Sequence, residues 1–493
     1  MQRDCEMVAS FRLLVSGFQY AVHSPQSAIG DVSLFITHYS LLPLTSVIVI
    51  FDVGKTNKKI LLFDEQYKLL QEESTQLKET TDEDGFPCED VNLLTKWVQQ
   101  KFSEILLRKD IDVKAVNFSA YGASFVHLDE GSNVVTPLYN YLKPYPQNLT
   151  KQFYHTYGGE ELIARETASP VLGSLNSGMQ LYRLKYEKPE VYKNIKYALH
   201  LPQYLSFSIS KAPSTDISSV GCHTNLWSFI KNGYHDWVYT ERFDKKFAPL
   251  YNGDKIVGSI DDKIQIGIGL HDSSAALIPY LTSFHEPFVL ISTGTWCISL
   301  NPFNHTELTG EELRQDCLCY LSYDGKPVKA SRLFAGYEHE QQVKRLAAHF
   351  QKAIDYYQTL GWNVALLNEM QSGNKFSGRS FSELDLVEFT GYEEAYHQLM
   401  WNIVQQQAMS TNLVIKGMAV KRIFVDGGFG KNPVYMNLLA KAFPGIEVYA
   451  ATVPQASALG AALVIHHHWN KNSLPADMIE LKRFANTELN YSN

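Results

Sequence analysis

No run in this 493-residue sequence approaches the roughly 18 consecutive apolar residues that span a bilayer, which excludes a membrane-crossing helix. An excess of positive charge is also missing. The formal net charge is −8 and no basic stripe occurs, so a nucleic-acid-binding surface is not expected. Cysteine is sparse and scattered, at positions 5, 88, 222, 297, 317 and 319. None of these make a metal-ligand set, and Cys317-x-Cys319 has the wrong spacing for a zinc or thioredoxin motif. Reduced thiols in a cytoplasmic protein are the simplest account. A secretory leader is poorly supported as well. The segment Met1 to Thr45 has apolar patches broken by Gln, His and Ser, no clearly positive start, and no convincing small-x-small site. Of three readings, a weak signal peptide, an extension, or sequence upstream of the true start, we favour the last two and expect poor packing there.

What is present fits a soluble globular protein: 45% hydrophobic and 19% charged residues. The length predicts two domains of about 200 residues each. The most informative segment is VIVIFDVGKTNKKILLFD, Val47 to Asp64. Its composition predicts two adjacent strands, the first ending at Asp52-Val53-Gly54, joined by a short polar turn at Lys55 to Lys59. A carboxylate, Asp52, ends the first strand beside Gly54, Lys55 and Thr56. Gly lets backbone N–H groups approach an anion, Thr adds a hydroxyl, Lys adds charge, and Asp can hold metal-bound water. Gly54-Lys55-Thr56 also spells the end of a P-loop, but that motif needs a glycine where Val49 stands and a helix where a strand follows. The P-loop is therefore excluded. An ordinary hairpin with a cationic turn accounts for the segment equally well when it is taken alone.

Further along, helical spacing predicts a helix over 90–107, a short buried strand over 115–120, helices over 162–186 and 189–197, and a polar loop over 215–225. Glycines and short β-runs at 257–269 mark a change of element, which places the domain boundary at 258/259. Beyond it, FVLISTGTWCISL repeats the strand–turn–strand pattern of the first half, an echo that suggests a duplicated fold with facing turns. A long amphipathic helix over 392–416 leads to a strand, then Asp426-Gly427-Gly428-Phe429-Gly430-Lys431-Asn432-Pro433 before another helix, where a nucleotide can lie against bare backbone. A plain strand–helix turn would need the same flexible residues. Asp272, in Leu270-His271-Asp272-Ser273-Ser274, is expected near a helix N-terminus in the cleft, where a carboxylate can take a hydroxyl proton. By itself, an aspartate there is more often a helix cap. His271 is assigned no chemistry, and consecutive histidines at 466–468 are read as a solvated helix end.

Four segments in order resemble the FGGY carbohydrate kinases of the actin/hexokinase/Hsp70 superfamily. DVGKTNKK is similar to their first phosphate motif, LHDSSAAL to the segment with the catalytic aspartate, STGTW to the second phosphate motif, and VDGGFGKNP with PQASALGAAL to the adenosine motif. The loop Ser214 to Ser218 resembles the family's Thr-Asp-x-Ser stretch. The resemblance spans about residues 47–465. It implies an α/β fold of two duplicated actin-like (ribonuclease H-like) domains around a central cleft, at 46–258 and 259–470, flanked by the extension 1–45 and a tail 471–493. It also implies phosphorylation of a small-molecule sugar by ATP with Mg2+, without nucleic acid or membrane partners, and it leaves a homodimer open. Asp272 would be the general base, and Asp52 with Asp272 would hold metal. Gly54, Lys55, Thr56, Lys59, Thr293, Gly294 and Thr295 would contact phosphates, and Gly427, Gly428 and Asn432 the nucleotide. Tyr121, Asn140, Asp216 and Asp272 would contact the acceptor. Lys55 replaces the family's small hydroxyl residue, and the aromatic-Asp-Arg sugar motif is missing at 136–143. The GTW turn and compact length look most like the rhamnulokinase and fuculokinase branch. Xylulose or another ketose, a polyol, a non-catalytic regulator and a water-using ATPase stay open as alternatives.

Overall fold

Strand β1, Thr45–Val53, is the central strand of the first half. Its alternate side chains enter different cores, as a period of two requires. Val47, Val49, Phe51 and Val53 pack with the apolar face of helix α1, while Ile48 and Ile50 join a core shared with the second half. The computed structural model describes residues 44–373 and 379–484. The expected extension therefore lies outside the described residues up to position 43, and so does the end of the tail from 485.

The first sheet is built on β1, β2 (Lys58–Asp64), β3 (Leu69–Thr75), and then helix α1 (Val91–Leu106) and strand β4 (Ile111–Ala120). Helix α1 starts where Asp90 accepts from the backbone N–H groups of Asn92 and Leu93. Val91, Leu94, Val98, Phe102 and Ile105 form its buried face, with Trp97 half-buried beside them. After a helical insertion, β5 (Ile256–Ile260), β6 (Ile264–Gly267) and β7 (Leu270–His271) complete the sheet, in the order β5-β6-β4-β1-β2-β3 with β7 also on β4. The boundary expected at 258/259 thus falls inside a paired strand. Hydrogen bonding carries the first sheet on to His271.

Helix α2, Asp272–Ser283, carries the chain into the second half. There β8 (Phe288–Thr293), β9 (Cys297–Asn301), β10 (Cys317–Leu321), β11 (Pro327–Leu333), helix α3 (Ala335–Phe350), helix α4 (Tyr392–Ile415), β12 (Arg422–Gly427), helix α5 (Pro433–Ala442), β13 (Glu447–Thr452), helix α6 (Ala456–Leu463) and β14 (Glu480–Phe484) follow. The second sheet runs β10-β11-β9-β8-β12-β13-β14. Each sheet centres on a strand antiparallel to the next in sequence and parallel to a later crossover strand: β1 with β2 and β4, β8 with β9 and β12. That shared topology is the duplication suggested by the repeated strand–turn–strand pattern, and the α/β class stands.

Three local expectations change. The helix expected over 162–186 breaks into Glu160–Thr167, a short turn Gly173–Leu175 and Ser177–Glu187. The interruption falls where Ala168 turns left-handed (φ 48°) and Pro170 has no N–H to continue the ladder. The strand Tyr197–His200 follows a helix that ends at Asn194. The polar stretch 215–225 is largely buried, with Asp216 capping the short helix Ile217–Val220.

Candidate functional site

The turn after β1 is closed by Gly54 N donating to Asn57 O at 3.0 Å. Lys58, 2% exposed, supports it from beneath. Its ammonium donates to the carbonyls of Gly54 (3.2 Å) and Lys55 (3.0 Å) and pairs with buried Glu89. Lys55 reaches Glu79 at 2.5 Å, and Thr56 is exposed at the tip. Lys59 is engaged elsewhere, with Glu72 at 3.0 Å and Gln455 at 2.9 Å. Asp52 stands opposite Lys59 on β2 and Ser119 on β4, and its Oδ2 accepts from Ser457 Oγ at 3.0 Å. Burial pushes its carboxyl up to about 6, and the nearby Asp272 charge adds to the rise, against the hydrogen bond from Ser457 and the charge of Lys59.

Asp272 enters from the other side of β4. Pairing of Leu270 and His271 with Ser119 and Ala120 sets it just past the strand end, as the first residue of α2. Ser273 donates to its Oδ1 from N (2.6 Å) and Oγ (3.3 Å). The side chain is 36% exposed, and burial of the remainder raises it to about 6. On either side of β4, Asp52 thus holds its proton more tightly than in water through burial and the Asp272 charge, and Asp272 does so through burial. His271 is packed against Gly122, where a Cβ would lie 2.3 Å from the ring. Burial lowers it to about 4, so its Nδ1, 3.5 Å from Asp272 Oδ1, carries no charge near neutrality.

Among the residues expected to meet the acceptor, only Asp272 has an exposed polar edge. Asp216 is 0% exposed. Its Oδ1 accepts from Ser218 Oγ, which in turn accepts from His271 N at 3.3 Å, so Asp216 braces the strand end behind Asp272. Asn140 uses both ends of its amide internally, donating to Pro87 O (3.0 Å) and accepting from Leu142 N (3.0 Å). Tyr121 is 7% exposed and donates to Glu89 at 3.1 Å. Both are corrections: folding turns these polar groups inward, where they need partners. Tyr141, packed edge-on against Tyr121, lies within electrostatic reach of both Lys55 and Asp272 and was missed by the sequence reading.

In the second half, Gly294 N donates to Trp296 O at 2.9 Å, closing a turn one residue tighter than that at Gly54. The strand-end pair Ser292 and Asp426 matches Asp52 and Ser119 with the carboxylate moved to the partner strand. Thr293, 7% exposed, donates to Asp426 O (2.6 Å) and accepts from Phe429 N (3.1 Å), so its hydroxyl joins the two glycine turns. Gly427 needs its φ of 92°, and a Cβ there would stand 2.0 Å from Thr293 O. Gly294 and Thr295 remain exposed. A cavity of about 580 Å³ brings together Gly294, Gly428, Asn432, His339, Tyr357 and Lys431, a volume within the ordinary range for a bound small molecule. Asn432 caps α5 and donates to Tyr396 at 2.7 Å, and His339, held near 4 by burial, shares that phenol. His339, Tyr357 and Lys431 carried no sequence signal beyond proximity to glycine.

Between the halves, a smaller cavity of about 240 Å³ is lined by Asp272, Ser273, Ser292, Tyr320, Asp426 and Ser457. Burial raises Asp426 as well. Among the described residues no group of three or more His, Cys, Asp or Glu could alone hold a metal ion. The paired carboxylates nevertheless suit a hard cation that keeps water and takes further oxygens from a phosphate. The histidines at 466–468 need correction too. His466 is buried and its Nδ1 bonds the Tyr67 phenol at 2.7 Å, while His467 and His468 are exposed. No described helix is long and apolar enough to cross a membrane.

A model of the N-terminal domain of the FGGY family of carbohydrate kinases matches residues 47–277, and one of the carbohydrate kinase FGGY C-terminal domain matches 285–473. No curated protein matches the chain. Solved structures share its fold. A carbohydrate kinase from Novosphingobium aromaticivorans is 22% identical over 90% of this chain and 95% of its own, with a TM-score of 0.73. A ligand-bound xylulose kinase from Lactobacillus acidophilus is 16% identical over 89% and 94%, with a TM-score of 0.72. A Plasmodium falciparum glycerol kinase with ADP is 15% identical over 86% and 90%, with a TM-score of 0.65.

Proposed function

This chain belongs to the FGGY family of carbohydrate kinases, phosphotransferases with an alcohol acceptor, and we propose that it moves the terminal phosphate of ATP to a hydroxyl of a ketose. The observation that carries this reading is the pair Asp52 and Asp272, set on strand ends on either side of β4 and each raised to about 6. Asp272 accepts the acceptor's hydroxyl proton as the oxygen attacks phosphorus. Asp52, with Asp272, would hold Mg2+, which when bound neutralises charge on the phosphates. The exposed hydroxyls of Thr56 and Thr295, with Lys55 and the turns built on Gly54 and Gly294, surround the phosphates. The nucleotide lies along Gly427, Gly428 and Asn432, beside the cavity that Gly428, Asn432, His339 and Tyr357 line. Closure of the cleft would exclude water as a competing acceptor.

For the acceptor we propose a deoxyketose such as L-rhamnulose or L-fuculose. The support is the Gly294-Thr295-Trp296 form of the second phosphate turn and the compact length, which look most like that branch. Xylulose is the second reading, favoured by the xylulose kinases among the solved structures of like fold. A coupled ADP-release screen across ketoses, aldoses and polyols tests both. A deoxyketose should give the highest kcat/KM. ADP release independent of any added sugar would overturn the kinase reading in favour of an ATPase, and no release with any acceptor would favour a regulator.

A further inference from the structure

Helix α6 brings a hydroxyl from late in the chain to the carboxylate at its start. Ser457, its second residue, donates to Asp52 Oδ2 at 3.0 Å across 405 positions of sequence and lines the same cavity as Asp272 and Asp426. The residue before the helix, Gln455, is left-handed (φ 53°) and belongs to a closed ring of contacts. Its amide donates to both Glu72 oxygens (3.0 and 2.9 Å), its carbonyl accepts from Lys59 (2.9 Å), and Lys59 pairs with Glu72 (3.0 Å). Each of the three side chains bonds the other two. The ring fixes the start of α6 to strands β2 and β3, and Ser457 lies two residues further on.

We propose that Ser457 is a positioning residue for phosphoryl transfer, orienting Asp52, and that the Lys59–Glu72–Gln455 ring is the clasp that keeps it in place. Lys59 then acts through the clasp and not as a phosphate ligand. A carboxylate free to rotate presents its oxygens to a cation only part of the time. One with Oδ2 engaged by a donor on a docked helix is held in a single orientation. The orientation depends on α6 staying seated, so it is coupled to how the two halves meet. This inference rests on the kinase reading above.

The test uses the full-length protein with Ser457→Ala and Ser457→Thr, and measures turnover together with Mn2+ binding to the ADP complex by electron paramagnetic resonance. Ser457→Ala should lower kcat about tenfold with both KM values little changed, and weaken Mn2+ binding by a similar factor. Ser457→Thr, which restores the hydroxyl, should recover both. Gln455→Ala should shift both in the same direction by less. Wild-type kcat and Mn2+ affinity in Ser457→Ala would overturn the proposal, as would a Thr variant impaired like the Ala one. If Ser457→Ala does not fold, Ser457→Cys is read in its place by the same criteria. A wild type that phosphorylates no sugar would instead sink the kinase reading, while the Mn2+ measurement still decides the link between Ser457 and Asp52.

Discussion

Gly460 approaches Ala275 so closely that a Cβ on it would lie 1.8 Å from the Ala275 carbonyl oxygen. Helices α6 and α2 therefore pack backbone to backbone, and α2 begins with Asp272 while α6 carries Ser457. Gly460→Ala should force the helices apart, costing at least about 1–3 kcal/mol of stability. Urea unfolding checks that figure. Activity should fall further than the loss of folded protein explains, because both site residues move. Unchanged stability would mean the two helices can separate freely.

Asp272→Asn removes the proton acceptor while leaving the nucleotide cavity intact. Turnover should drop by about 10²- to 10⁴-fold with ADP affinity nearly unchanged, measured by calorimetry. In the wild type, protonation of either raised carboxyl removes the active form, so kcat/KM should fall as pH drops through about 6. The two groups repel, so the acid limb belongs to the pair. In Asp272→Asn, Asp52 loses a neighbouring charge and its carboxyl should move down.

Asp52→Asn keeps shape and volume but removes one charge from the expected cation position. The magnesium concentration for half-maximal turnover should rise by about ten- to a hundredfold, with the sugar KM little affected. A magnesium titration that overlays the wild type would rule out Asp52 as a ligand.

His127 on the strand Phe125–Leu128 is 0% exposed, bonds Thr136 Oγ1 at 2.7 Å, and is held near 3 by burial. Below its unfolded value of about 6.5 the unfolded chain takes a proton that the folded one refuses, so this residue's stability is fully present above 6.5 and lost as pH falls toward 3. Against a His127→Gln variant, the wild type should lose about 2 kcal/mol between pH 7 and pH 5, measured by denaturant unfolding at each pH. An equal gap at both pH values would count against a neutral buried imidazole.

Much of the framework was legible in the residues. Alternation in VIVIF, the glycines of the two turns and the cap at Asp90 act between near neighbours, so β1, β2, α1 and the echo at Thr293 to Thr295 could be read directly. The interruption at Ala168 and Pro170 was misjudged because helical spacing resumes after it. The boundary at 258/259 was misplaced because a strand does not reveal from its own residues which sheet it joins.

The candidate site divides along the same line. Its position came from sequence: Asp52 at a strand end, Asp272 at a helix start, glycines where backbone must approach an anion. The roles of the polar residues around it did not. Asp216 and Asn140 look like ligands in a linear reading, yet both are enclosed: Asn140 spends its amide on Pro87 and Leu142, and Asp216 spends Oδ1 on Ser218 and Ser219.

Sequence alone determined the local elements, the glycine turns and the family, because periodicity, turn chemistry and motif order are written in adjacent residues. Tertiary structure decided that Asp52 and Asp272 flank one strand, that Lys59 binds Glu72 and Gln455, and that Ser457 reaches Asp52. Those are contacts between segments up to 405 positions apart. They exist only once two sheets and the helices between them have packed, since burial decides which polar groups must find a partner inside and which are left to meet a substrate.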